Sequence, residues 1–431
     1  MTEPAPHHVV IVGGGFAGLW CARGLSRAAC RVTLVDRYNY HLFQPLLYQV
    51  ATAVLSPSDI GFPIRRVFRA IPGVTVLLGD VEGIDVNART LRVSGNHTLP
   101  YQTLVLAAGA TNAYFGHPEW AEHAPSLKTM DDAVAVRSRI LAAFERAEAE
   151  RDSVRQRRLL TFVIVGGGPT GVELAGAIKE LAVDSMVRDF RRFDPGTARV
   201  VLVEGGGRLL PAMHPTLSAK AARTLERMGV EVKVDSLVDH IDDQGVRLAA
   251  RAGRPAERID AANVLWAAGV SASPLGAMLG APLDSAGRVR VQGDLTVPGH
   301  PDVLVLGDMA LLERPGGAGT VPGIAPAAIQ MGQYAARLIR ARLKGRPAPP
   351  PFHYLDKGTL ATIGRARAVG EVAGIRVSGL TAWVLWSVVH IAYLVGFRNR
   401  LITMLNWIFT YLFFSKGSRL ITGAAAREAR C

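Results

Sequence analysis

The sequence predicts an α/β protein with two Rossmann-like dinucleotide-binding domains and a C-terminal membrane-associated module. Three observations predict it. A glycine-rich loop joins a short β-branched strand to a helix near the start of the chain, the same pattern recurs from Gly166, and the last 80 or so residues combine large apolar side chains with a basic excess.

The first pattern begins with residues 8–12, an apolar β-branched run that leads into Gly13-Gly14-Gly15-Phe16-Ala17-Gly18 and then into helical spacing at Leu19, Ala22 and Leu25. A second strand, residues 31–35, ends at Asp36, 18 residues beyond Gly18. This is the dinucleotide fingerprint. Gly13 makes the tight turn, Gly15 lets a pyrophosphate approach, Gly18 lets helix meet sheet, and Asp36 accepts from a ribose hydroxyl. The second pattern runs from the strand 161–165 into Gly166-Gly167-Gly168-Pro169-Thr170-Gly171 and a helix through residue 178. Its acid is Glu204, which closes the strand 200–203 at a wider spacing because residues 182–195 lengthen the helix or insert before the strand. A carboxylate there favours a free 2′-hydroxyl over a 2′-phosphate, hence NADH over NADPH, with Arg208 as the nearby cation that would favour the opposite.

At 431 residues the chain is long enough for two to four domains and a large core. A composition 49% hydrophobic and 20% charged excludes a disordered chain, and is too polar for one made of membrane spans alone. The net charge of +13 suits nucleic acid, an anionic membrane surface or an anionic cofactor; no nucleic-acid motif or aromatic-interleaved basic patch accompanies it, so nucleic acid is set aside. The three cysteines, Cys21, Cys30 and Cys431, form no metal-type cluster, disulfide framework, redox pair or iron–sulfur ligand set. The N-terminus has no basic segment or cleavage pattern, which predicts cytosolic synthesis without export.

Each fold is followed by an apolar strand ending in small residues, 103–107 with Ala108-Gly109 and 264–267 with Ala268-Gly269, and residues 303–306 end in Gly307-Asp308. In this order the segments resemble the two-dinucleotide flavoprotein superfamily. The resemblance implies FAD on the first loop, held by Gly13, Gly15, Phe16, Ala17, Gly18, Asp36, Ala108 and Gly109 with Asp308 on the ribityl chain. It implies NADH on the second, held by Gly166, Gly168, Gly171, Glu204, Ala268 and Gly269. With no cysteine pair, reduced flavin must pass electrons directly to a diffusible acceptor.

Residues 39–52 (Asn-Tyr-His-Leu-Phe-Gln-Pro-Leu-Leu-Tyr-Gln-Val-Ala-Thr), residues 166–176 with Glu173, residues 325–330 and the apolar C-terminus are similar to type II NADH:quinone oxidoreductases. That family implies ping-pong transfer of a hydride from NADH to FAD, then of two electrons to a membrane quinone, without proton pumping. It also implies a homodimer. Glu173 and Gln330 become the catalytic candidates, against plainer readings as a dipole-stabilised carboxylate and a polar residue at a helix start. The plainer reading of Asp308 is a helix cap. One departure stands out: the family's Ala-Gln-x-Ala-x-Gln is here Ala325-Pro326-Ala327-Ala328-Ile329-Gln330, keeping only the second glutamine. A soluble-type NAD(P)H-dependent reductase for another acceptor and a non-catalytic NADH-sensing flavoprotein are the rival readings.

The expected domains are an FAD part at 1–118, an NADH domain at 119–291, the FAD return at 292–345 and a tail at 352–431. The proline-rich residues 345–351 form an extended boundary, and residues 352–375 alternate like a small antiparallel sheet. Residues 377–397 carry no charge, and Trp383, Trp386, His390, Tyr393 and Phe397 fall in one helical sector suited to a headgroup boundary. Residues 401–415 place Leu401, Leu405, Ile408, Phe409 and Leu412 on one face and Thr403, Asn406 and Thr410 on the other. Ten basic against two acidic residues from 357 onward, Lys416 and Arg419 among them, favour anionic lipid. The tail therefore predicts peripheral or monotopic attachment at the cytoplasmic face of the cell membrane, with a single span at 377–397 or a dimer-interface helix pair as alternatives.

Overall fold

A computed structural model describes residues 6–251, 253–317, 319–413 and 417–422, and the chain divides into two compact units. One comprises Met1–Leu42, Phe62–Asn112 and Val270–Lys357; the other comprises Phe43–Gly61, Ala113–Gly269 and Gly358–Cys431.

In the first unit the strand His7–Val12 lies at the centre of a six-stranded sheet. Its parallel neighbours are Cys30–Asp36 on one side and Thr103–Leu106 on the other. Val74–Leu78 and His300–Val305 extend the two sides in parallel, and Thr296–Val297 adds an antiparallel edge. Val9, Val10 and Ile11 are completely buried, which is why this strand reads as a continuous apolar run instead of an alternating one. The loop helix Phe16–Leu25 packs on the return helix Ala325–Leu343 through small residues. A Cβ on Gly332 would sit 2.2 Å from the Ala17 carbonyl oxygen, so the two backbones touch only because that position is glycine.

The second unit repeats the arrangement in shorter form. Four parallel strands run in the order Val230–Lys233, Arg199–Val203, Thr161–Val165, Asn263–Trp266. The loop helix Pro169–Glu180 meets the tail sheet so closely that a Cβ on Gly176 would lie 1.7 Å from the Ile363 carbonyl oxygen. That sheet, Thr359–Gly364, Arg367–Val372 and Ile375–Gly379, is antiparallel as its alternation predicts.

The uncharged run 377–397 is not one helix. It leaves the sheet at Gly379, forms the helix Leu380–Tyr393 of 14 residues, and bends before Phe397–Phe413. Fourteen residues rise about 21 Å, short of the roughly 30 Å hydrocarbon core, and among the described residues no helix is long and apolar enough to cross a membrane. The aromatic sector expected at a headgroup boundary is divided: Phe397 is 81% exposed, whereas Trp386 turns inward. Trp386 is 1% exposed, stacks on His390 at 4.1 Å and lies 5.5 Å from Trp407, because three flat rings gain more by packing together than by separate exposure. Leu380, Val384 and Val388 are exposed as well.

The second tail helix has the two faces its sequence predicts. The polar face is the inner one. Asn399, Thr403 and Thr410 are buried, with Asn399 Nδ2 donating to the Ser58 and Gly61 carbonyls and Asn406 Nδ2 to the Asp59 carboxylate. Leu401, Leu405, Ile408 and Phe409 are exposed. Arg419 turns inward to the Ser185 carbonyl and the Asp189 carboxylate. The Leu412 side chain, Ser415, Lys416 and Cys431 lie outside the described residues.

Candidate active site

Each unit carries one glycine-rich loop between strand and helix, built by the same local logic. In the first, Gly13 adopts φ +103° and a Cβ there would lie 2.3 Å from the Ala107 carbonyl oxygen, so only glycine lets the loop pass the neighbouring strand end. A Cβ on Gly18 would lie 1.9 Å from the Gly13 oxygen, whereas Gly15 faces open space. The helix starts at Gly15 with no side-chain cap, which leaves its first amide groups for an anion. Asp36 accepts from the Gly14 N–H at 2.5 Å and the Tyr38 N–H at 2.7 Å, and burial pushes its carboxyl up against those two bonds. Ala108 and Gly109, the latter at φ +71°, follow the next strand, while Asp308 lies in the short 3-10 turn Gly307–Met309.

Behind this loop stands His41. Its Nδ1 lies 2.9 Å from the Gly14 carbonyl oxygen, its ring meets Phe16 edge-on at 5.1 Å, and its Nε2 is buried without a hydrogen-bond partner. Burial lowers its pKa to about 4, so it is neutral at physiological pH, with the proton assigned to Nδ1 from its carbonyl partner.

In the second unit Gly166 has φ +114°, and its Cβ would lie 2.6 Å from the Ala267 carbonyl and 2.7 Å from Ala268 N. A Cβ on Gly171 would lie 1.8 Å from the Gly166 oxygen, and Gly168 faces open space at an uncapped helix start. Glu204 accepts from Gly167 N–H and Gly206 N–H, both at 2.6 Å. Arg208 donates to the Pro211 carbonyl at 2.7 Å. Gly269, at φ +80°, ends the Ala-Ala-Gly segment beyond the strand Asn263–Trp266.

Glu173 lies in the second turn of Pro169–Glu180, outside the first turn where the helix dipole acts most strongly. It is buried, and desolvation raises its carboxyl well above the ordinary range, opposed only by the Thr362 backbone N–H. This is the opposite of a dipole-stabilised surface carboxylate. Glu173 lines a cavity with Tyr48, Gln49, Thr362, Arg365 and Thr410. Gln49 links Tyr48 to the tail: its Nε2 donates to Tyr48 Oη at 2.9 Å while Trp407 Nε1 donates to its Oε1 at 2.7 Å. Sequence reasoning missed Tyr48 and Gln49 as lining residues; the signal was a glutamine inside the apolar run 46–51. Gln330 belongs to the first unit, where its amide donates to the Leu355 carbonyl at 2.9 Å and accepts from the Leu355 N–H at 3.0 Å.

Two acid-clasped glycine loops in one chain define a pyridine-nucleotide-dependent flavoprotein. The profile of the pyridine nucleotide-disulphide oxidoreductase family matches residues 7–332, and that of the NDH2 C-terminal domain matches residues 357–414. The type II NADH:quinone oxidoreductase NdhA of Mycobacterium tuberculosis is 45% identical over 96% of this chain and 89% of its own length. The type II NADH:quinone oxidoreductase Ndh of the same organism is 44% identical, with 98% and 92% covered. NDH2 from Plasmodium falciparum, solved in complex with NADH, shares the fold with a TM-score of 0.87 at 19% identity, covering 97% of this chain and all of that one. The chain belongs to the type II NADH:quinone oxidoreductase family.

Proposed function

We propose that this protein is a membrane-associated, FAD-dependent NADH:quinone oxidoreductase that does not pump protons. The observation that carries the reading is the pair of loops, each with an open middle glycine and an uncapped helix start that a Cβ or a capping side chain would have filled. FAD, when bound, accepts a hydride from NADH and supplies two electrons to quinone.

In the first unit, Gly13, Gly15, Phe16, Ala17 and Gly18 would admit the FAD pyrophosphate, Asp36 a ribose hydroxyl, and Ala108, Gly109 and Asp308 the remainder. In the second, Gly166, Gly168, Gly171, Glu204, Ala268 and Gly269 would take NADH. Both Glu204 oxygens already accept peptide N–H bonds, which fixes the carboxylate for a ribose hydroxyl and sets it against a 2′-phosphate. Glu173 is assigned the proton role. A carboxyl whose protonated form is favoured by burial can donate at Oε to an acceptor in its cavity and take a proton back from water. Gln330 receives a positioning role, since both ends of its amide clasp Leu355.

The exposed apolar faces of the tail helices are assigned to the bilayer surface, with anionic lipid favoured by the basic excess, on the cytoplasmic side and in a homodimer. The test is spectroscopic. The purified protein should be yellow, bleach anaerobically on adding NADH, and recover its colour on adding quinone; a colourless protein, or one that NADH cannot bleach, would sink the proposal. For the tail, Leu405→Asp with Phe409→Asp should release the protein from anionic vesicles while sparing its colour, and retained binding would remove the lipid role.

A further inference from the structure

One side chain beside the second loop is out of character for its position. Phe115 is 68% exposed and has φ +50°, a left-handed conformation that costs a bulky residue energy, and Gly116 follows at φ +91°. An exposed phenylalanine in strained backbone contributes little to folding. Its ring is nevertheless placed with care: a Cβ on Gly269 would lie 2.4 Å from Phe115 Cζ, so the tip of the ring rests on the Gly269 backbone.

The neighbours hold it there. Trp266 Nε1 donates to the Ala113 carbonyl at 2.9 Å, its ring stacks on Tyr114 at 5.1 Å, and Tyr114 Oη donates to the Ala124 carbonyl at 2.9 Å. Trp120 packs against the same indole at 5.7 Å. The backbone leading to Phe115 is thus pinned on the buried side, and the phenyl ring, 6.1 Å from Trp266, is the member of the aromatic group turned outward.

The strand order says what passes in front of it. Glu204 ends the strand Arg199–Val203 and marks the adenosine ribose, and the loop after Thr161–Val165 marks the pyrophosphate. The remaining half of an extended dinucleotide must continue to the other side of the central strand, over the end of Asn263–Trp266, where Gly269 and Phe115 meet. We infer that Phe115 is a substrate-binding residue for NADH, its ring forming the apolar wall against which the nicotinamide half packs at Gly269. The inference rests on the reading of the second loop as the NADH site.

The test uses the full-length, FAD-loaded protein and its Phe115→Ala and Phe115→Tyr variants. Calorimetric titration should show NAD⁺ binding weakened about tenfold in Phe115→Ala, near one stacked ring's contribution, and restored in Phe115→Tyr. ADP-ribose, which lacks the nicotinamide, should bind wild type and both variants alike. In turnover the KM for NADH should rise with kcat within about twofold. Flavin colour and reoxidation of the chemically reduced enzyme by a soluble quinone should not change, and the melting temperature should change little because the ring is exposed. Unchanged NAD⁺ affinity in Phe115→Ala, or equal weakening of ADP-ribose, overturns the inference while leaving the site itself standing. Wild type that binds neither ligand overturns both.

Discussion

Side by side, the two loops differ less in their glycines than in their surroundings. The steric demands match position by position: Gly13 with Gly166, Gly15 with Gly168, Gly18 with Gly171. Asp36, however, is pulled inward between two peptide N–H groups, and His41 and Phe16 close the back of its loop with a buried, neutral imidazole. Glu204 is a methylene longer, reaches its partners across the exposed Gly206, and has the exposed Arg208 beside it. A loop walled by buried rings suits a group that stays; a loop flanked by exposed glycines suits one that leaves after each turnover. The lesson is that the fingerprint marks what can bind, while the second layer of side chains marks how long.

The largest effect is expected from inserting the same methyl group in both loops. Gly18→Ala and Gly171→Ala each drive a Cβ to within 2 Å of a carbonyl oxygen, an overpacking that costs on the order of 1–3 kcal/mol and displaces the loop. Gly18→Ala should purify without flavin colour, whereas Gly171→Ala should stay yellow and be bleached by NADH at least about tenfold more slowly. If Gly171→Ala also came out colourless, the two sites would not be independent.

A smaller effect is expected at Glu173. Glu173→Gln should retain colour and slow turnover by about tenfold or more, since a positioned acid is lost. The pH dependence carries a sign. Burial raises this carboxyl, so its contribution to stability is full below the ordinary glutamate range and fades as pH rises through that range toward the raised folded value. Gln does not titrate and keeps that contribution, so melting at pH 7 should occur higher in the variant than in wild type, with no such gain at pH 3. An equal shift at both pH values would mean that burial is not what raises the group.

His41 sharpens the contrast between a closed loop and an open one. Its folded pKa of about 4 lies below the ordinary histidine value of 6.5, so its stabilising share is present above 6.5 and is lost as pH falls toward 4. Acidification through that window should release FAD, and His41→Gln should flatten the dependence and hold melting within roughly 5 °C across it. Identical flavin release curves in both proteins would exonerate the histidine. The smallest change is predicted for Glu204→Ala, where loss of one fixed carboxylate should narrow the NADH over NADPH preference by about tenfold, read as a ratio of kcat/KM. An unchanged ratio would leave Arg208 or another cation in charge of that choice.

Much of this was legible from residue order. Strand, glycine loop, helix and closing acid are local, so both folds could be placed from spacing alone, and the paired faces of residues 401–413 follow from helical periodicity. What was not legible was which face of the tail turns inward. Trp386 looks like a boundary residue in sequence, and only its packing against Trp407 and the bond from Trp407 to Gln49, 358 positions away, show the pair as core. Glu173 could be named from its motif, but its burial depends on Thr362 in a sheet nearly 200 residues later. Phe115 gave no periodic signal at all, because its interest lies in one backbone angle and one distance.

The inverted second tail helix has a consequence for inherited variation. In an ordinary surface helix, replacing a leucine by a polar residue damages the fold and replacing an asparagine by alanine passes unnoticed. Here Asn399 and Asn406 are the fastenings and Leu401, Leu405, Ile408 and Phe409 the exposed side. A mutational scan scored by folding yield should therefore punish the asparagines and spare the leucines, whereas the same scan scored by growth on a respiratory substrate should punish both. Tolerance at the leucines would depend on which of the two scores is read.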